Sequence, residues 1–196
     1  MKYDPKLRKS IRNTKAYNNQ TFINSREARP LRIQCELIEP NMRLKRLGVE
    51  HLISFFGSAR LKEGHPDYNE TYKLAYKLGE WTKKHAPNVA ISSGGGPGIM
   101  EATNKGAIDS GALSVGMGID LPFEQRNTLY ITPDLDFGFH YFFTRKYWCT
   151  YLTKAFVVMP GGVGTLDELF EILTLIQTQK ITLNIPIVLF NKKFWE

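Results

Sequence analysis

The sequence predicts an α/β protein with a Rossmann-like, doubly wound, mostly parallel sheet and helices on both faces. From about residue 50, short β-branched or aromatic runs alternate with longer runs of helical periodicity, which is the pattern of parallel βαβ units. Glycine-rich turns follow two of the short runs. The length of 196 residues allows one large core. We therefore expect one domain at 47–196, preceded by an arm at 1–46.

Two strand–helix units open the predicted domain. After the strand that ends in GSAR, Leu74, Leu78 and Trp81 recur at helical spacing, and a second helix begins behind the glycine-rich turn SGGGPG. The predicted elements are, in order, a strand at 51–56, a helix at 67–85, a strand at 88–92, a helix at 99–110 and a strand at 112–119.

The same alternation continues to the end of the chain. An aromatic-rich segment predicts a helix, and the turn PGGVGT separates the next strand from another helix. The predicted elements are a short strand at 129–132, a helix at 137–151, a strand at 154–159, a helix at 165–179 and a strand at 185–190. Because NKKFWE follows that strand directly, we expect the helix that would cover it to be missing from the chain.

The basic charge of the protein belongs to the arm. Residues 1–46 hold 12 Lys and Arg against 4 Asp and Glu, whereas the other 150 residues hold 14 against 15. Two interpretations stay open: a solvated extension that packs on the domain or a neighbouring subunit, and an arm that binds nucleic acid or another anion.

Composition excludes several classes of protein. With 42% hydrophobic and 23% charged residues, the chain is typical of soluble globular proteins. No apolar run approaches the roughly 18 residues of a membrane helix, and MKYDPKLRKS lacks the apolar core of a signal peptide. We expect a cytoplasmic protein. Cys35 and Cys149 form no CxxC, and the histidines show no metal-ligand spacing, so we expect neither a disulfide scaffold nor a metal site.

Three loops follow predicted strands, GSAR, SGGGPG and PGGVGT. In open α/β sheets ligands bind outside the carboxyl ends of the strands. Glycine lets a ligand approach bare backbone N–H groups, and the helix that follows offers the positive end of its dipole, so phosphate is the natural ligand. Neither glycine loop fits GxGxxG and no GxxxxGK[ST] occurs, which argues against NAD, FAD and ordinary P-loop chemistry.

Each of these features also has a purely structural interpretation. Thr165 and Glu168 fit a capping box, in which Thr165 caps the helix and Glu168 reaches back to the N–H of the cap. Arg145 lies in a helix dense in aromatic residues, where it is either a surface cation or a cation held at the site. The aromatic residues themselves, Phe139, Phe142, Phe143, Tyr147 and Trp148, suit a core or a subunit interface.

The motifs SGGGPGIMEATNKGA, LPFEQRN, FFTRKYWC and PGGVGTLDE, in that order and at those separations, resemble the LOG ("lonely guy") family over residues 50–191. Its members are nucleoside 5'-monophosphate phosphoribohydrolases, including cytokinin-activating enzymes, and many carry the older label "possible lysine decarboxylase". Two departures, the shorter GGGPGIME loop and the basic arm, point to a bacterial branch and away from cytokinin as the substrate.

The resemblance implies a set of site residues. It places the essential pair on Arg145 and Glu168. Residues that would bind the substrate are Gly94, Gly95, Gly96, Gly98, Glu124, Lys146, Gly161, Gly162, Gly164, Thr165, Asp167 and Thr174.

The implied activity is hydrolysis of the N-glycosidic bond of AMP-like or N6-modified nucleotides to free base and ribose 5-phosphate, with no metal and no organic cofactor. A lysine decarboxylase would need pyridoxal phosphate on a lysine, and neither Lys105 nor Lys146 lies in such a setting. A non-catalytic nucleotide sensor or carrier is the alternative. The resemblance also implies a homodimer or an assembly of dimers, with no membrane partner.

Overall fold

The computed structural model of the protein describes residues 14–119, 128–181 and 185–196. The chain divides into two compact units, residues 1–40 and 41–196. In the first unit a 3₁₀ turn at Ala16–Asn18 precedes α1 (Gln20–Ile23). Asn19 caps α1, because its Oδ1 accepts a hydrogen bond from the N–H of Phe22 at 3.2 Å. Helix α2 is formed by Arg29–Arg46.

The described residues of the second unit form a parallel sheet with flanking helices. The strands are β1 (His51–Phe56), β2 (Val89–Ser93), β3 (Ser114–Ile119), β4 (Asp136–Phe139), β5 (Thr153–Val158) and β6 (Ile187–Leu189). The helices are α3 (Pro66–His85), α4 (Ile99–Asp109), α5 (Phe142–Tyr151), α6 (Val163–Gln177) and α7 (Lys192–Trp195). All the strand pairs are parallel, in the order β4-β3-β2-β1-β5-β6. The predicted Rossmann-like α/β class is therefore confirmed.

Side chains alternate between the two faces of the sheet along each strand, and helices bury both faces. On one face Ile53 and Phe55 of β1 pack in a core with residues of α3 and α4, such as Ala75 and Ile99. On the other face Leu52 and Phe56 share a core with residues of α5 and α6, namely Trp148, Cys149, Leu169 and Ile172. Helices thus cover both faces, as doubly wound sheets require.

The region between β3 and α5 differs from the prediction. No strand forms at 129–132, where Leu129 is 92% exposed. The fourth strand is β4, and the aromatic helix begins at Phe142 rather than at 137. The reason is periodicity: in β4 Phe137 and Phe139 are buried while Asp136 and Gly138 are exposed, which is the alternation of a strand.

Helix α3 begins where the local sequence sets it. Pro66 is the first helical residue, and His65 caps the helix by accepting from the N–H of Asp67 at 3.2 Å. Its buried face is formed by small and polar residues, Tyr68, Thr71, Ala75, Gly79 and Thr82. Trp81, which the helical spacing placed with the apolar residues, is 51% exposed. In the described part of the chain, no helix has the length and apolar character needed to cross a membrane.

The strand order reverses direction at β1, whose neighbours are β2 and β5. Such a switch point leaves a crevice at the carboxyl ends of the two strands, because their connections run to opposite sides. In this protein the crevice lies between the loops that follow β1 and β5, and these are GSAR and PGGVGT.

Candidate active site

Three loops meet at the switch point. The N–H of Ser58, in the GSAR loop after β1, donates to the carbonyl of Pro160 after β5 at 3.0 Å. The carbonyl of Ser58 accepts at 3.0 Å from the N–H of Ile99, the first residue of α4. The GSAR backbone is therefore held between the two glycine-rich loops, and the three strand ends form one rim.

A cavity of about 580 Å³ opens at this rim. Nine of the residues predicted for the site line it: Gly94, Gly95, Gly96, Arg145, Gly162, Gly164, Thr165, Asp167 and Glu168. The tertiary structure thus brings these nine residues, which span 75 positions of the sequence from 94 to 168, to one place.

Arg145 and Glu168 form a buried ion pair in this cavity. Arg145 Nη1 lies 2.6 Å from Glu168 Oε1, and the two side chains are 14% and 7% exposed. Arg145 Nε donates to the carbonyl of Met117 at 3.0 Å, which fixes the plane of the guanidinium. Burial alone would lower the pKa of Arg145, but the neighbouring Cys149, Glu168 and the hydrogen bond to Glu168 outweigh it and raise that pKa. Arg145 is therefore a permanently charged group that orients the Glu168 carboxylate.

The PGGVGT loop leads directly into α6. The helix begins at Val163 with Gly162 as its N-cap residue, so the first N–H groups of α6 have no carbonyl within the helix to bond. A Cβ added at Gly162 or Gly164 would meet no atom within 4 Å, and both glycines line the cavity. Gly161 differs, because a Cβ there would come within 2.6 Å of Thr165 Cβ. The open backbone at 162 and 164 leaves room for an anion at the positive end of the helix.

The capping-box interpretation of Thr165 and Glu168 is wrong. Helix α6 starts two residues earlier than predicted, so Thr165 lies inside the first turn, and its cap residue is Gly162 without a side-chain hydrogen bond. Glu168 is buried, and its carboxylate bonds to Arg145. Its carboxylate is consequently available to the cavity.

Hydrogen bonds and packing shape the SGGGPG loop. The N–H of Gly95 donates to Ser93 Oγ at 3.1 Å, and Ser93 Oγ donates to Asn104 Oδ1 at 2.6 Å. Asn104 in turn donates to Ser114 Oγ at 2.9 Å, which ties the loop to β3. Gly98, whose φ is +71°, does not line the cavity; a Cβ there would lie 2.7 Å from the carbonyl carbon of Ala59.

The remaining predicted residues lie beside the cavity or outside the described part. Lys146 Nζ is 2.7 Å from both Asp167 Oδ2 and Glu171 Oε2. Burial opposes the charge of Lys146, but its hydrogen bonds to these two acids raise its pKa. Thr174 is exposed on α6 and its hydroxyl donates to the carbonyl of Phe170 at 2.7 Å. Glu124 lies outside the described residues.

Sequence reasoning missed several residues that line the cavity: Ser58, Arg60, Met100, Ile131, Asp136 and Phe142. A signal existed for Ser58 and Arg60, since GSAR ends a strand that opens the predicted sheet. No such signal existed for Asp136, because the strand that positions it was misplaced. Among the described residues no group of three His, Cys, Asp or Glu side chains could hold a metal ion.

Comparison with known proteins gives a family and a fold. Residues 100–196 match the model of the family described as "Possible lysine decarboxylase". TM1055, a structural genomics target, superposes with a TM-score of 0.51 at 21% identity, over 64% of this chain and 70% of its own. At that identity the likeness concerns the fold alone. No curated protein sequence matches the chain significantly.

Two further solved structures are similar at lower scores. The molybdenum cofactor binding protein from the phototrophic bacterium Rippkaea orientalis has a TM-score of 0.45 at 22% identity, over 70% of this chain and 74% of its own. The Moco carrier protein from Chlamydomonas reinhardtii has a TM-score of 0.41 at 22% identity, over 64% and 71%.

Proposed function

Since the chain belongs, through residues 100–196, to the family described as possible lysine decarboxylase, whose LOG members cleave nucleotides, we propose that it is a nucleoside 5'-monophosphate phosphoribohydrolase. The substrate class is AMP-like or N6-modified nucleotides. The products are the free base and ribose 5-phosphate. One observation supports this proposal most strongly: a buried arginine–carboxylate pair faces the same cavity as an open glycine loop at a helix N-terminus.

Cleavage of an N-glycosidic bond passes through a ribosyl cation, so it needs negative charge close to the sugar and a directed water. Glu168 provides the charge. In the proposed reaction the bond from C1' to the base nitrogen breaks with its electron pair going to the base. A water oxygen then bonds to C1', and Glu168 accepts the proton that this water loses and later releases it to solvent, while the leaving base takes up a proton from solvent.

Arg145 has two roles in this scheme. Its hydrogen bonds to Glu168 and to the carbonyl of Met117 hold the carboxylate in one orientation. Its second terminal nitrogen, Nη2, lies on the side of the SGGGPG loop, 3.4 Å from where a Cβ of Gly94 would be. The guanidinium thus spans from the α6 carboxylate to the first glycine loop, where a departing base could receive a hydrogen bond.

The 5'-phosphate is proposed to bind at the PGGVGT loop. Bare N–H groups at 162–164 and the helix dipole favour an anion there, and Thr165 contributes its hydroxyl. Binding energy from the phosphate, which is remote from the bond that breaks, then positions the ribose over Glu168. Free nucleosides should be poor substrates for this reason.

The deciding experiment incubates the protein with AMP, GMP, CMP and a prenylated AMP and measures free base and ribose 5-phosphate. The Glu168→Gln variant should lower the rate by about 10²- to 10⁴-fold, because the amide cannot accept a proton. Glu70→Gln is the matched control, since Glu70 is an exposed acid on α3 that pairs with Lys73 at 2.8 Å and does not line the cavity.

Two outcomes would contradict the proposal in different ways. Full turnover by Glu168→Gln would leave the activity in place but end the site assignment. Tight binding of nucleotide without release of any base would support the alternative, a nucleotide sensor or carrier.

The lysine decarboxylase activity in the family description does not fit this cavity. Pyridoxal phosphate requires a lysine that can form a Schiff base with it. Among the described residues no lysine lines the cavity. Lys146 is held between two acids, and Lys105 lies over the rings of Tyr72 and Tyr130 at 5.6 and 5.4 Å.

We also propose that the protein forms a homodimer through an aromatic surface, defined by Phe143, Tyr147 and Tyr151 of α5 with Phe170 of α6. These side chains are between 42% and 62% exposed. A patch of this kind is typical of protein interfaces. Light scattering should show a dimer for the wild type and a monomer for Phe143→Glu. Trp81→Glu, at an equally exposed aromatic residue of α3, should remain dimeric; a monomeric wild type would contradict the proposal.

A further inference from the structure

We propose that Arg60, in the GSAR loop, is the cation that binds the substrate phosphate and makes the site selective for phosphorylated nucleosides. This inference rests on the proposed function, because it concerns the same cavity. It adds a residue that neither the glycine motifs nor the arginine–glutamate pair includes.

The charges of the cavity single out Arg60. The charged residues that line it in the described chain are Arg60, Asp136, Arg145, Asp167 and Glu168, two cations and three anions. Arg145 is already paired with Glu168 at 2.6 Å. A phosphate monoester would add nearly two negative charges to a cavity whose anionic residues already outnumber its cationic ones. Its binding therefore requires a cation that is not already paired with a carboxylate of the protein.

Lys146 does not meet that need. It is not among the residues that line the cavity, and its ammonium group is paired with both Asp167 and Glu171 at 2.7 Å. Among the described residues at the cavity, Arg60 is the cation whose side chain meets no carboxylate; only its backbone N–H is engaged, donating to Ser58 Oγ at 3.1 Å. Arg60 is an exposed residue that lines this cavity.

Arg60 is also in the right place. The GSAR loop is held next to the PGGVGT loop, because the Ser58 N–H donates to the carbonyl of Pro160, just after β5, at 3.0 Å. The open glycines at 162 and 164 follow Pro160 by two and four positions. A phosphate at the N-terminus of α6 would thus have backbone N–H groups on one side and the arginine loop on the other. Arginine suits this role, because its planar fork binds phosphate oxygens in pairs.

The test compares Arg60→Ala with wild type on AMP and on adenosine, which lacks the phosphate. We expect kcat/KM for AMP to fall about 10- to 100-fold, the effect of losing a charge-assisted hydrogen bond, while the value for adenosine stays the same. Arg60→Lys should recover part of the loss, since it keeps the charge but not the fork. Lys62→Ala removes the same charge two positions away, outside the cavity lining, and should behave as wild type.

The results separate this inference from the proposed function. Base release that Arg60→Ala leaves unchanged, or lowers equally for AMP and adenosine, overturns the inference alone. If no base is released, calorimetric titration with AMP and with inorganic phosphate decides: binding that is lost in Arg60→Ala and kept in Lys62→Ala supports the anion site and ends the hydrolase proposal. No binding of either ligand to the wild type overturns both.

Discussion

The two glycine-rich loops of this protein look alike in the sequence but differ in what occupies the space beside their glycines. In SGGGPG the protein itself fills that space. Cβ atoms added at Gly94 and Gly96 would meet Met100 at 2.6 and 2.7 Å, and one at Gly98 would meet the backbone of the GSAR loop. In PGGVGT the glycines at 162 and 164 have no atom within 4 Å of an added Cβ.

This difference teaches that packing accounts for the glycines of SGGGPG but not for Gly162 and Gly164. A glycine that contacts backbone or has positive φ is needed for the fold whatever the protein binds. Gly162 has a φ of −93°, which any residue adopts, and nothing in the described structure crowds it. Its place at the cavity agrees with the proposed phosphate site.

Among the tests of this comparison between the two loops, the largest effect is expected on the free energy of unfolding. Gly98→Ala should lower the free energy of unfolding by roughly 2–4 kcal/mol, because it adds strain at φ +71° and a clash with the backbone at Ala59. Denaturant unfolding measures the change. Gly64→Ala is the control: Gly64 also has positive φ, +94°, but open space, so it should lose only the strain. Equal losses would show that the close approach at Gly98 does not matter.

A smaller effect is expected on the turnover of AMP, in a variant that does not lose stability. Gly164→Ala replaces a glycine in the first turn of α6 and should stabilise the protein by up to about 1 kcal/mol. The added methyl group would narrow the proposed phosphate site, so we expect turnover of AMP to fall roughly tenfold, about 1.4 kcal/mol of transition-state binding. A stabilised variant with wild-type turnover would show that the open loop does not hold the phosphate.

The smallest effect concerns the thiol of Cys149, beside the proposed catalytic pair. Burial raises the pKa of Cys149 to about 12, against an opposing attraction from Arg145, while Cys35 is exposed. At pH 8 the folded protein should thus react with a thiol reagent at Cys35 and not at Cys149, as mass spectrometry would show. Gly164→Ala should keep Cys149 protected, whereas Gly98→Ala should speed its labelling as the protein opens more often. Rapid labelling of Cys149 in the wild type would contradict the burial of this thiol beside Arg145.

Local patterns were enough for most of the fold. The strand at 51–56 was predicted to the residue, and the other central strands within two residues, because continuous apolar runs between turns leave few alternatives. The prediction failed around β4, where two phenylalanines flanking Gly138 were assigned to a helix. Aromatic residues occur in both kinds of element, so their spacing is the informative feature, and a strand of four residues offers only two buried positions.

The sequence by itself determined the alternation of strands and helices, the glycine loops at strand ends and, through resemblance to a family, the identity of Arg145 and Glu168. Only the tertiary structure decided that α6 starts at Val163, which takes Thr165 out of the cap position and turns Glu168 toward Arg145, 23 residues earlier in the chain. It also decided that Arg145 and Lys146 are paired with carboxylates, whereas Arg60, among the described residues that line the cavity, is not. The physical reason is that capping and pairing depend on distances between elements, set by how helices pack on the sheet, and no local pattern encodes those distances.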